Sequence, residues 1–74
     1  MQVTVKLFAS FRTGRTALAT RDYPAGTKVA DVVSEQGIPP AELGIMLINC
    51  RHVPLDRELS DGDTLALFPL LGGG

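Results

Sequence analysis

Thr64-Leu65-Ala66-Leu67-Phe68 reads as the last strand, and it runs through Pro69-Leu70-Leu71 into Gly72-Gly73-Gly74, where the chain stops. Leu65 and Leu67 fall on one face of that strand and Ala66 and Phe68 on the other, the two-residue period of extended chain. Pro69 has no N–H and is expected to end the ladder. Glycine lacks a Cβ and loses the most entropy when ordered, so a core gains nothing from it in the final places. A tail that must thread a narrow cleft in another protein does gain. A frayed terminus is the other reading of the same residues.

Working outward, Asp61-Gly62-Asp63 is a tight turn before the last strand. Residues 55–60 are a loop or one helical turn anchored by Leu55 and Leu59. Ile45-Met46-Leu47-Ile48 is an apolar run of strand length, Asn49-Cys50 turns it, and residues 51–54 make a short return strand. At the other end of the chain, Gln2-Val3-Thr4-Val5-Lys6-Leu7-Phe8 alternates strictly. Val3, Val5 and Leu7 share one face, and Phe8 puts a large apolar ring on the polar one. Residues 10–15 read as a turn and 16–23 as a second, antiparallel strand ended by Pro24-Ala25-Gly26.

Val29, Val32 and Val33 form one narrow helical stripe, predicting a helix over 28–36 with Thr27 as its N-cap. Gly37 suits the left-handed position after it, and Pro39-Pro40 forbids continuation. The order is strand, strand, helix, strand, short strand, strand. An opening hairpin followed by one helix fits an α+β fold, a mixed sheet with one main helix packed on one face. The first and last strands then lie side by side in the centre, parallel, with the helix supplying the crossover. That arrangement is the β-grasp of ubiquitin-like proteins. Residues 1–69 form the domain and 70–74 a flexible diglycine tail.

A length of 74 residues, 45% hydrophobic and 20% charged, describes one globular domain too small for a deep catalytic cavity. There is no apolar run of membrane-spanning length and no signal-peptide pattern. The single cysteine excludes an internal disulfide framework, and the cytoplasm is the expected compartment. A net charge of −1 gives no argument for nucleic acid. Residues 1–21 carry Lys6, Arg12, Arg15 and Arg21 and no acid, whereas eight acids lie beyond them. Folding either mixes the two halves over one surface or leaves a basic patch for an acidic partner.

Val5-Lys6-Leu7-Phe8-Ala9, Ile48-Asn49-Cys50-Arg51, Leu59-Ser60-Asp61-Gly62-Asp63-Thr64-Leu65 and the glycine terminus together resemble the MoaD/ThiS family of ubiquitin-like sulfur carriers over the whole chain. Leu7-Phe8-Ala9 with Arg12, and Phe68-Pro69, lean to the molybdopterin-synthase small-subunit branch. Two departures stand out. Asn49-Cys50 replaces the common Asn-Gly, and Phe68-Pro69-Leu70-Leu71 with three glycines replaces the common Phe-Pro-Pro with two.

An α-carboxyl has a pKa of about 3.3–3.7, so Gly74 ends in an anion, a poor electrophile that needs activation before it accepts sulfur. The resemblance implies an acyl-adenylate formed with ATP, then a thiocarboxylate on Gly74, with Gly73 beside it. The chain has no Gly-x-x-x-x-Gly-Lys loop, so a separate activating enzyme supplies nucleotide binding, and the resemblance implies one of the MoeB/ThiF type. The protein is then no enzyme itself, binds no cofactor tightly, and is a monomer when free. The partner that holds the tail would be the large subunit of molybdopterin synthase, for molybdenum or tungsten cofactor, or a thiazole synthase. A ubiquitin-like modifier or a non-covalent interaction domain is the reading of a different class.

Residues 70–74 reach about 17 Å when extended. Leu70 and Leu71 either fold back on the domain or lie, with Gly72, in a partner's groove. Phe8, Phe68 and Leu47 are expected to make an exposed apolar patch for a partner. His52 has no companion ligand, so no metal is expected. Cys50, beside Arg51 and His52, reads as a turn or strand residue, with a sulfur relay as the sharper alternative. Ser10, Ser34 and Ser60 lack a nucleophile elbow, and Asp56, Glu58, Asp61 and Asp63 read as solvated turn residues.

Overall fold

The computed structural model describes residues 1–70. Five strands, β1 (Gln2–Leu7), β2 (Leu18–Asp22), β3 (Leu43–Ile48), β4 (Arg51–His52) and β5 (Thr64–Pro69), form one sheet in the order β2-β1-β5-β3-β4. β1 and β5 pair in parallel, from Thr4 opposite Thr64 to Leu7 opposite Leu67. The other neighbouring pairs are antiparallel. Helix α1 (Val29–Glu35) lies in the crossover between β2 and β3. The expected β-grasp and its central parallel pair are both present.

Alternation decides which face is buried. Val3, Val5 and Leu7 of β1 and Leu65 and Leu67 of β5 point to α1, where Val29, Val32 and Val33 complete the contact. Ile38, Ile48, Leu59, Phe11 and Tyr23 close the rim of this core. Leu59 is buried and Leu55 half-buried, so both anchor their loop as expected.

α1 starts one residue later than the sequence predicts, and Thr27 is not its cap. The Thr27 hydroxyl donates to the Pro24 carbonyl at 2.8 Å, and Lys28 takes the N-cap position. The loop after β4 does the capping: the Val29 and Ala30 N–H groups donate to the Arg57 and Leu55 carbonyls, each at 2.9 Å. Asp31 in the first turn accepts the Lys28 N–H at 2.8 Å, a favourable place for an acid. The far end follows the expectation. Gly37 has φ +70, its N–H reaches the Ser34 carbonyl, and the Ile38 N–H reaches that of Val33. These two bonds make a Schellman cap. Arg15 adds to it, donating from Nε to the Gln36 carbonyl at 2.8 Å and from Nη2 to that of Gly37 at 3.3 Å.

Strand ends also shift. β2 is shorter than the predicted 16–23, and β4 shorter than 51–54, while β3 begins at Leu43 rather than Ile45. Pro69 does not end the ladder. It pairs with Leu43, and the next residue, Leu70, donates its N–H to the Glu42 carbonyl at 2.9 Å. Proline lacks only the donor, so a neighbour that asks nothing of its nitrogen accepts it in register. The Asn49-Cys50 turn has φ +51 and +69, the two left-handed residues of a type I′ hairpin. Asn49 suits that position and also accepts the Thr64 N–H at 3.1 Å through Oδ1.

The tight turn before β5 ties to the start of β1. Gly62, φ +87, donates to the Gln2 carbonyl at 2.7 Å, and the Gln2 N–H reaches Asp61 Oδ1 at 2.6 Å. Asp63 is buried and accepts the Ser60 N–H at 2.8 Å, so it is a structural residue rather than a solvated one. Asn49 Nδ2 donates to its other oxygen at 3.2 Å.

Two outcomes follow. Arg15→Ala should lower unfolding stability by about 1–2 kcal/mol, read as a lower urea midpoint, because two helix-end carbonyls lose a charged donor. Tyr23, the only tyrosine, is buried and donates to Glu35 Oε1 at 2.8 Å. Burial first, and the adjoining carboxylate second, push its phenol up to about 12. The neutral phenol is the form the fold favours, so its contribution is whole below pH 10 and is lost as pH rises toward 12. Tyrosinate absorbance should rise in that window together with loss of the fold.

Candidate functional site

The sheet face turned away from α1 carries the candidate site. Its residues are set by the same alternation that builds the core: Thr4, Lys6 and then Phe8 along β1, and Thr64, Ala66 and Phe68 along β5. Lys6 lies opposite Ala66, and the Phe8 N–H donates to the Leu67 carbonyl at 3.2 Å, carrying the parallel ladder one step past β1. Phe8 therefore meets Phe68 ring to ring, with centroids 4.2 Å apart and planes 10° from parallel. Directly after it, Ala9 turns the chain with φ +51 into a 3₁₀ turn (Ala9–Arg12) that sends Phe11 back into the core.

β3 extends the apolar face on the other side. Ile45 lies opposite Phe68 and Leu47 opposite Ala66, while Met46 and Ile48 point inward as expected. Leu47 is half-buried, and Ile45 is 40% exposed. The stacked rings stand as a ridge between two open grooves. One, of about 480 Å³, runs past Phe8, Gly44, Ile45, Phe68 and Pro69 to Leu70. The other, of about 520 Å³, is lined by Phe8, Leu47, Ala66 and Phe68 with Lys6 and Cys50 at its edge. The expected patch of Phe8, Leu47 and Phe68 is thus brought together, though both rings are half-buried because they cover each other.

Sequence reasoning missed Ile45, Leu18 and Gly44. Ile45 has the parity of Leu47 and was legible from it. Leu18, 60% exposed, sits opposite Lys6 on the edge strand β2, which the weak alternation there hid. Gly44 is the extra residue of a bulge: Leu43 faces Pro69 and Ile45 faces Phe68, so two steps on β3 match one on β5.

Leu70 is 63% exposed at the end of the first groove. Leu71, Gly72, Gly73 and Gly74 lie outside the described residues. The N-terminal cations do not form one patch. Arg15 is spent on the end of α1, and Arg21 pairs with Glu35 at 3.5 Å. Cys50 is an exposed free thiol, and His52 is exposed opposite Leu47. Among the described residues no group of three or more His, Cys, Asp or Glu is placed to hold a metal ion, and no helix is long and apolar enough to cross a membrane.

Solved structures agree on the architecture. A protein assigned as molybdopterin converting factor subunit 1 from Pyrococcus furiosus is 29% identical, with a TM-score of 0.76 over 93% of this chain and 97% of that one. Small archaeal modifier protein 1 of Haloferax volcanii is 21% identical, with a TM-score of 0.73 over 92% and 95%. A complex of subunits 1 and 2 of molybdopterin-converting factor from Helicobacter pylori matches at 20% identity and a TM-score of 0.68, over 100% of both chains. The last two show the fold alone. No curated protein matches the chain. The ThiS family model matches residues 5–74, which takes in both stacked rings, all of β5 and every glycine of the terminus. On that match the chain belongs to the ThiS family and has the ubiquitin-like fold of the MoaD/ThiS sulfur carriers.

Proposed function

We propose that the chain is a sulfur carrier whose working group is the α-carboxylate of Gly74. The observation that carries this reading is the family match running through to residue 74. The apolar face supports it, because its groove leads along Phe8, Phe68 and Pro69 to Leu70, two residues before the first terminal glycine. A separate MoeB/ThiF-like enzyme binds ATP and presents it to the tail. The Gly74 carboxylate attacks the α-phosphorus, pyrophosphate leaves, and the acyl-adenylate is the electrophile the free carboxylate is not. Sulfide-level sulfur then displaces AMP and leaves a thiocarboxylate. That group remains ionised and is a better nucleophile than the carboxylate it replaced. The large subunit of molybdopterin synthase holds the tail while the sulfur passes to the precursor of molybdopterin or tungstopterin and the carboxylate is regenerated, a choice favoured by the likeness to converting-factor subunit 1.

Each feature has a task in that scheme. The stacked rings and the grooves beside them give a partner an apolar surface to bury. Glycines at 72, 73 and 74 keep the terminal thread narrow. A second reading, conjugation to other proteins, starts from the same adenylated carboxylate. A carrier serving thiazole synthesis shares every step up to the acceptor.

Intact-mass measurement tests the scheme after incubation with ATP, a sulfide-level donor and the activating enzyme. The expected product gains the mass of one oxygen exchanged for sulfur. A protein that stays unchanged under these conditions is not a carrier, and one that appears in covalent conjugates with lysines is a modifier. Gly73→Val should leave the fold intact and block adenylation, while undiminished turnover would remove the argument from a narrow thread. Phe8→Ser should weaken binding to the activating enzyme and the large subunit at least about tenfold, measured by titration calorimetry, because it removes one ring of the central pair.

A further inference from the structure

We propose that Gly44 is a positioning residue that sets the direction in which the C-terminal tail leaves the sheet. Position 44 is exposed, so burial does not ask for a small residue there. Its φ is not among the positive values that the chain uses at Gly14, Gly26, Gly37 and Gly62, so its backbone conformation does not require glycine either. What remains is proximity. A Cβ at this position would stand 2.6 Å from the Pro69 carbonyl oxygen, 2.9 Å from its carbon and 3.0 Å from the Leu70 nitrogen. All three are backbone atoms, and no rotamer relieves the contact.

Something must shift when a side chain is added, and the ladder decides what. β3 is pinned to β5 at Ile45, Met46, Leu47 and Ile48, the inner pairs of which lie in the core. The Pro69–Leu70 peptide is held more lightly, by the pairing of Pro69 with Leu43 and by the Leu70 N–H to the Glu42 carbonyl at 2.9 Å. The displacement therefore falls on the root of the tail. The bulge at 44 lets β3 close on that peptide, and the Glu42 carbonyl, two residues earlier on the same flank, holds it there. A proline at position 70 would have no N–H for this bond, so Leu70 is matched to the arrangement.

The consequence for chemistry rests on the sulfur-carrier reading. An activating enzyme that grips the apolar face receives the tail at an angle fixed by Gly44 and Glu42. Tilting the root leaves the grip intact and misplaces the reacting carboxylate, and misplacement of about 1 Å costs on the order of a hundredfold in rate when the reacting groups cannot compensate. Glycine, having no Cβ, can take backbone conformations closed to other residues, so part of the tilt is recoverable and about a tenfold loss is expected here.

The test uses Gly44→Ala in the full chain. In the wild type, the Leu70 amide should exchange with solvent at least about tenfold more slowly than an unprotected amide, and the substitution should abolish that protection while the core amides keep theirs. In the adenylation assay the variant should lose about tenfold in kcat, with KM within about twofold of wild type, because the Phe8, Phe68 and Ile45 side chains that carry the grip are unchanged and the added methyl group meets the Pro69–Leu70 backbone. An unprotected Leu70 amide in the wild type overturns the anchor. So does a variant with wild-type exchange and kcat, or one that does not fold, which assigns the glycine to the body of the domain. A loss confined to KM assigns it to docking and overturns the positioning role. If the wild-type chain is not adenylated at all, the carrier reading fails, and Leu70 exchange alone decides whether Gly44 sets the root.

Discussion

The parallel pairing of β1 with β5 is the constraint from which the rest of the molecule follows. Two parallel neighbours cannot be joined by a tight turn, so everything between Leu7 and Thr64 must serve as the crossover, and α1 lies within it. The two strands then share both faces. Inward they contribute five of the core's buried side chains, Val3, Val5, Leu7, Leu65 and Leu67. Outward, the Lys6–Ala66 register sets Phe8 beside Phe68. One hydrogen-bonded register therefore fixes the core, the aromatic ridge and the point at which the chain leaves the sheet.

A domain this small has little interior to spare, and the loops show how it copes. The Asp61-Gly62-Asp63 turn bonds to Gln2, Ser60 and Asn49, so the start of β1, the β3–β4 hairpin and the entry to β5 are tied at one corner. The segment after β4 supplies carbonyls to the first turn of α1, and Arg15 supplies donors to its last carbonyls. A helix of 7 residues has too few internal bonds to persist alone. Here both of its ends are completed by other parts of the chain, a long-range role that no single residue type announces.

That explains which parts were legible in the sequence. Strict alternation in residues 2–8, the valine stripe at 29, 32 and 33, and the Gly37 and Pro39-Pro40 stop were enough for the element order and the helix-bearing face. The face of Phe8, Leu47 and Phe68 followed from parity alone. The failures are local and share a cause. Thr27 looked like a cap because only side chains were considered, whereas the Arg57 and Leu55 carbonyls arrive from about 30 residues away. Pro69 looked like a stop because its missing donor was counted and its partner's needs were not. Gly44 gave no signal, since a glycine demanded by a neighbour's backbone cannot be told in sequence from one that is merely tolerated.

The same parallel pairing separates the two ends of the molecule. Gln2 sits beside the Gly62 turn, and the Met1 amino group bonds the Tyr23 carbonyl at 2.9 Å and lies 3.8 Å from Asp22, all at the edge of the sheet where β5 begins. Leu70 leaves from the opposite edge, about 20 Å away at 3.3 Å per strand residue. Anything fused ahead of Met1 thus emerges on the side remote from the aromatic ridge. Immobilising the protein through that end leaves both grooves and the exit at Leu70 free to face solution.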